Sequence, residues 1–263
     1  MNNDTRVAPL YEGTFSVGAD NDFDRIEKKD SPNKGALKLS INPFLIKDDK
    51  HTILFDAGIG DLFGNNSSIN TILENLAEHS LTEYDITDIF ISHLHFDHMA
   101  GLANRENGYW ELTFPDASVW VSEDAWKRLS KNISEYRDVE EDFFHFVDNK
   151  ADLHFLSERD NPIPNIRVEQ IGGHTKYHNA LFYENGEEQY LMAGDVIGSK
   201  GAINRSYKAK YDEEPEKSMQ KREELQKLAY EKNYTIMAYH ETEFPLFKLV
   251  SYDKKKGYRI ENR

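Results

Sequence analysis

Residues 93–98 read His-Leu-His-Phe-Asp-His, followed by the small, bendable run Met99, Ala100 and Gly101. The stretch comes straight after 86–92 (ITDIFIS), a short apolar run with the look of a buried strand. Alternate residues of extended chain point the same way, so His93 and His95 can present imidazoles to one metal. Asp97 and His98 lie past the bend and can face a second metal. A chance H-x-H-x-D-H would arise in roughly one chain of this composition per thousand, so the cluster is read as chemistry and not as surface histidines.

Working outward, a two-metal site needs further donors, and later strand ends offer them. His174 stands in GGHT after the strand predicted at 166–171. Asp195 stands in AGD after 189–193, and His240 in AYH after 235–239. Each alone is weak; the ordered set is strong, because residues just past buried strands are where α/β folds place their sites. Further strands are expected at 36–47, 51–55, 118–122, 179–184 and 247–252, with a hairpin turn at 254–257. Helices are expected at 69–79 and 215–232, the second opened by Pro215. Residues 123–150 read as helical, carrying Trp126, Phe143, Phe144 and Phe146, either packed on their own domain or forming a lid or dimer contact. The polar loop 18–34 is expected to overhang the site or lie solvated.

Composition removes several classes. The 263 residues contain no cysteine, which excludes disulfides, thiolate ligands, iron–sulfur clusters and a cysteine nucleophile. Acidic residues outnumber basic ones 47 to 32, for a formal charge of −15; such a field disfavours nucleic-acid and anionic-membrane partners. No apolar run approaches the ~18 residues of a membrane helix. The first residues lack the pattern of a signal peptide, so a cytoplasmic location is expected. One domain spanning 1–263 is expected, with a helical insert at 123–150.

FDAG (55–58), SHLHFDH (92–98), GGH (172–174), AGD (193–195) and YH (239–240) resemble the five successive motifs of the metallo-β-lactamase superfamily, over about residues 36–252. The resemblance implies an α/β fold, the αββα sandwich of two mixed sheets face to face with helices on both outer faces. It implies that His93, His95 and His174 hold one metal, that Asp97, His98 and His240 hold a second, and that Asp195 bridges them. Asp56 would orient a histidine or its loop, and Asp97 could pass a proton to the leaving group. Two divalent ions are implied; the all-nitrogen-and-oxygen donor set suits zinc, with manganese, iron or cobalt as alternatives. Metal binding should weaken below about pH 6, where imidazoles take up protons.

Within the superfamily, SHLHFDHMAGL (92–102) and the stretch 194–225 look like the quorum-quenching lactonase and organophosphate-hydrolase branch. That implies a metal-bridging hydroxide attacking a small-molecule lactone, ester or organophosphate. Acyl-homoserine lactonases carry a tyrosine three residues beyond the bridging aspartate, where this chain has Gly198. Tyr177, Tyr207 and Phe23 are the candidates for substrate contact in its place. His178 reads as a supporting or surface residue. The alternatives are a glyoxalase-II-like thioesterase and a mono-iron persulfide oxygenase. The thioesterase would need a basic patch, and Arg222, Lys227 and Lys232 read instead as the wet face of a helix.

Overall fold

The computed structural model describes residues 6–18, 22–61, 64–105, 108–133 and 140–263. The chain divides into two compact units, residues 1–155 and 156–263. Among the described residues, no helix is long and apolar enough to cross a membrane.

The first unit runs β1 (Arg6–Pro9), β2 (Gly13–Val17), β3 (Phe23–Ile26), β4 (Leu37–Ile41), β5 (Phe44–Lys47), β6 (Thr52–Phe55), α1 (Ile69–Glu78), β7 (Asp88–Phe90), α2 (Phe96–Met99), β8 (Ala103–Asn104), β9 (Glu111–Leu112), β10 (Ser118–Ser122), α3 (Glu123–Asn132), α4 (Glu141–Lys150) and β11 (Asp152–Leu156). Its main sheet has the order β1-β5-β6-β7-β10-β11. The apolar run that gives β7 is buried at every position, because parallel neighbours β6 and β10 flank it on both sides. Parallel strands end at the same edge, so the residues after β6 and β7 leave the sheet together. Those residues are Asp56 and the Ser92–His93 pair.

The expected helix at 69–79 is α1, capped by the Ser68 hydroxyl, which accepts from Asn70 N–H. Its buried face is Ile69, Ile72 and Leu76, as the 3.6-residue period requires. The 123–150 stretch forms α3 and α4, with residues 134–139 outside the described set. Trp126, Phe143 and Phe144 are buried in the unit's core and Phe146 packs against it. The Trp126 indole N–H donates to Asp148 at 2.8 Å, tying one helix to the other. These aromatics are therefore used within their own unit. Residues 19–21 lie outside the described set, and the rest of the polar stretch 18–34 is less loop-like than its composition suggests. It contains β3, which pairs with β2 and lays the Phe23 ring edge-on against Phe15 at 5.7 Å.

The second unit runs β12 (Arg159–Asp160), β13 (Ile166–Gln170), β14 (Asn179–Asn185), β15 (Glu188–Met192), α5 (Pro215–Glu231), β16 (Thr235–Met237), β17 (Leu246–Asp253) and β18 (Gly257–Asn262). Its sheet order is β12 through β18 in sequence. β13, β14 and β15 are antiparallel in turn, and β15 is parallel to β16. β13, β15 and β16 therefore point the same way and end at one edge. The KKKG stretch closes the β17–β18 hairpin, as read from its turn residues.

Helix α5 starts with Pro215 in its first turn, as the sequence indicates. Its buried face overturns one expectation. Ser218, Arg222, Leu225, Gln226 and Ala229 are buried at helical spacing. Lys227 and Lys232 are exposed, whereas Arg222 is one of the largest fully buried side chains. Arg222 is thus not on the wet face.

Candidate metal centre

In the first unit, the residues after β6 and β7 are knitted by backbone bonds. Ala57 N–H donates to His98 O at 2.8 Å, and Gly101 N–H to Gly58 O at 3.1 Å. Gly101 is required by space: a Cβ there would sit 2.0 Å from the Ala57 carbonyl oxygen. The bend expected after His95 is a helical turn, α2, with His95 at its N-cap. His93, Asp97 and His98 are buried, and His95 is half-buried.

Asp56 sits at the centre of this loop in the left-handed region, φ +60°, a conformation aspartate tolerates better than most side chains. Its carboxylate accepts from Ser92 N–H at 2.7 Å, from the Ser92 hydroxyl at 2.8 Å and from His98 Nδ1–H at 2.6 Å. Burial pushes this carboxyl above its ordinary value, against the pull of His98 and of the Ser92 donors. The contact fixes the His98 tautomer and leaves Nε2 as the ring atom that could hold a metal. His93 Nδ1 lies 3.1 Å from the Ser92 hydroxyl, and His93 Nε2 reaches to 3.0 Å from His95 Nδ1. Two aromatic nitrogens converging so closely suit a shared ion.

A deeper group supports the loop. Glu12 is buried and accepts the Ile59 N–H at 2.9 Å through Oε2. Burial pushes its carboxyl to about 8, the Ile59 bond and the Arg25 charge pulling down and the Asp97 charge adding to the rise.

In the second unit, His174, Asp195 and His240 leave the common edge of β13, β15 and β16, as their places after strands imply. His174 Nδ1–H is held by Asp212 Oδ1 at 2.9 Å, turning Nε2 outward, and that Nε2 lies 3.4 Å from Asp195 Oδ2. His240 Nε2 lies 3.0 Å from Asp195 Oδ1. Each oxygen of Asp195 therefore faces a different imidazole. His240 is anchored by its N–H donating to Gly198 O at 2.8 Å. A Cβ at Gly198 would come within 3.3 Å of the His240 ring, so a side chain there would crowd that histidine.

His178 is fully buried and not a surface residue: its Nε2 lies 3.0 Å from Ala193 O, and its own carbonyl accepts from Ile171 and Gly172. It braces the two loops that carry His174 and Asp195. Tyr177 is half-buried beside Lys176, whose Nζ stands 5.3 Å from its ring. The Tyr211 ring meets His174 at 5.9 Å, and Tyr207 is among the neighbours that raise its phenol. Asp212, Tyr211 and Glu12 escaped the sequence reading, and Arg222 was placed on the wrong face. Asp212 stands in an acidic run, YDEEPE, with no local mark separating it from its neighbours.

The donor set fits a divalent metal. It is entirely nitrogen and carboxylate oxygen, and His98 and His174 each have the far ring nitrogen held by a carboxylate, the arrangement that orients metal-binding imidazoles.

A model of the metallo-beta-lactamase superfamily matches residues 37–240, well over half the chain. The chain belongs to that superfamily and is, as a member of it, a metal-dependent hydrolase. The α/β sandwich fold expected from the motifs is thereby borne out. A solved "probable metal-dependent hydrolase" from Staphylococcus aureus is 23% identical, with a TM-score of 0.79 over 100% of this chain and 99% of that one. AidC, a dizinc quorum-quenching lactonase solved with its homoserine product, is 20% identical, with a TM-score of 0.74 over 99% and 95%. Hydroxyacylglutathione hydrolase of Haemophilus ducreyi is 26% identical over 117 residues, 44% of this chain and 38% of that protein. The match thus spans well under half of that curated relative's length.

Proposed function

We propose that the chain is a dinuclear zinc hydrolase of the cytoplasm that opens a lactone or a related small ester or organophosphate. The observation that carries this is Asp195, whose two oxygens face His174 and His240 separately, an arrangement that suits a carboxylate shared by two ions. In this reading His93, His95 and His174 hold one ion, Asp97, His98 and His240 hold the other, and Asp195 bridges. When bound, such ions polarise a carbonyl or phosphoryl oxygen and bring the pKa of water down toward ~7.

The chain's own groups do the rest. Asp56 and Asp212 hold the outer nitrogens of His98 and His174. In this reading Asp97 carries a proton toward the leaving oxygen. Tyr207, Tyr177 and Phe23 contact substrate, and the phenol of Tyr211 joins them. Although Tyr211 is 54% exposed, its phenol is pushed above its ordinary range by partial desolvation, with the neighbouring Tyr207, Asp195 and Asp212 adding to the rise. It stays protonated and can donate to a carbonyl or phosphoryl oxygen, the task for which Gly198 has no side chain.

The likeness to AidC supports the lactone substrate, and the short match to hydroxyacylglutathione hydrolase supports a thioester as the second reading. Burial of Arg222 weighs against the second, since it removes one cation from the basic patch that a glutathione thioester would need. The test is acid release from an N-acyl homoserine lactone, an aryl phosphotriester and a glutathione thioester, with His95→Ala as control and metal content measured on the same preparation. About two zinc per chain, with lactone or phosphotriester turnover lost in His95→Ala, supports the proposal. Turnover of the thioester alone, or one iron per chain, overturns it.

A further inference from the structure

We infer that Arg222 is a positioning residue for the metal-binding histidine and aspartate of the second unit, acting through Asp212 and the turn that carries Asp195. The inference rests on the reading of His174 and Asp195 as ligands.

Arg222 is 1% exposed, on the buried stripe of α5. An ionised guanidinium inside a protein is costly unless each donor finds an acceptor and its charge a counter-charge. The acceptors here come from three places. Nε donates to Val196 O at 2.9 Å, one residue beyond Asp195. Nη1 donates to Tyr207 O at 2.9 Å, and the guanidinium lies 4.0 Å from the Tyr207 ring. Nη2 reaches the Ser218 hydroxyl at 3.4 Å. The counter-charge is Asp212, whose side chain is fully buried and whose Oδ2 stands 3.9 Å from Nη2.

Asp212 holds the outer nitrogen of His174 with its other oxygen. A carboxylate in that role orients the imidazole and makes it a better donor to a metal. Arg222 stands behind that carboxylate as its buried counter-charge, with Nη2 3.9 Å from Oδ2. The same side chain fixes the 3₁₀ turn Gly194–Ile197 through the Val196 carbonyl. One buried cation thus sets the orientation of His174 and the position of Asp195, although it touches neither ligand.

The test measures zinc affinity by competition with a chromophoric chelator, and the melting temperature of stripped protein. The variants are Arg222→Met, Arg222→Lys, Asp212→Asn, the Asp212→Asn/Arg222→Met double and His174→Ala. Arg222→Met should bind zinc about tenfold more weakly or worse, the size typical of losing a group behind a ligand. Arg222→Lys should recover part of the loss, because a lysine restores the charge without reaching the separate acceptors. The double variant should lose no more affinity than the worse single, since both act on one path. Folded Arg222→Met with wild-type affinity overturns the inference, as do additive losses in the double. If Arg222→Met fails to fold, the lysine variant decides: a cooperative melt with unchanged zinc affinity overturns it. Zinc binding unaffected by His174→Ala overturns the ligand reading itself, a failure distinct from that of Arg222.

Discussion

Asp56 Oδ2 lies 2.6 Å from His98 Nδ1, and both side chains are fully buried. The pair is 42 residues apart in sequence, joined because parallel β6 and β7 end at the same edge. Replacing Asp56 by alanine leaves the His98 Nδ1–H and the Ser92 N–H inside the protein without their acceptor. Each such orphan costs roughly 1–3 kcal/mol, and loss of the group behind a ligand typically weakens metal binding by about 10–100-fold. Asp56→Ala should therefore melt lower and release zinc to a chelator more readily, measured by thermal unfolding and chelator competition. Zinc affinity equal to wild type would remove Asp56 from its orienting role.

Glu12 makes stability depend on pH. Its folded-state value, about 8, lies above the ordinary 4.5, so between these values the folded protein holds a proton that the unfolded chain has released. The folded state then binds more protons, and stability falls as pH rises, by up to roughly 1.4 kcal/mol per pH unit. Glu12→Gln keeps an acceptor for Ile59 N–H and has no proton to lose. In urea unfolding of metal-stripped protein at pH 5 and pH 8, wild type should lose stability relative to Glu12→Gln. Parallel behaviour at the two pH values contradicts the assignment.

Gly101 leaves no room for a side chain, because its Cβ position is 2.0 Å from the Ala57 oxygen. A backbone atom cannot swing away, so Gly101→Ala must separate the loop carrying Asp56 from the turn carrying His98. We expect a loss of about 3 kcal/mol, at the upper end for overpacking, read from denaturant unfolding. An unchanged midpoint would mean that the two segments move apart freely.

Tyr211 should be separable from metal binding. Tyr211→Phe keeps the ring against His174 and removes the donor, so zinc content should hold while kcat/KM drops about tenfold, the worth of roughly one hydrogen bond. If kcat/KM is unchanged on lactone and phosphotriester alike, Tyr211 is not the substrate donor, and Tyr207 and Tyr177 are next to test.

The motif cluster was legible because its logic is local. His93, His95, Asp97 and His98 lie within six residues, and their strand and turn are written in the adjacent apolar run and glycine. The strand ends at His174, Asp195 and His240 followed from the same alternation of apolar runs and breaks. The hairpin at 254–257 and Pro215 at the start of α5 were equally local.

Arg222 was misread because helical period says which residues share a face, not which face is buried. On α5 the buried face is itself polar, with Ser218, Arg222 and Gln226 on it, so hydrophobicity pointed the wrong way. Glu12 was invisible for a related reason: its partner, Ile59, is 47 residues away.

The sequence by itself determined the metal-binding chemistry, through residue types at short spacing and the absence of cysteine. Only the tertiary structure decided which groups stand behind the ligands. Asp56 with His98, Asp212 with His174, and Arg222 with Asp212 and Val196 are pairs 10 to 42 residues apart. Their pairing depends on strand direction and on the cost of leaving a buried charge or donor unmatched, neither of which short-range spacing records.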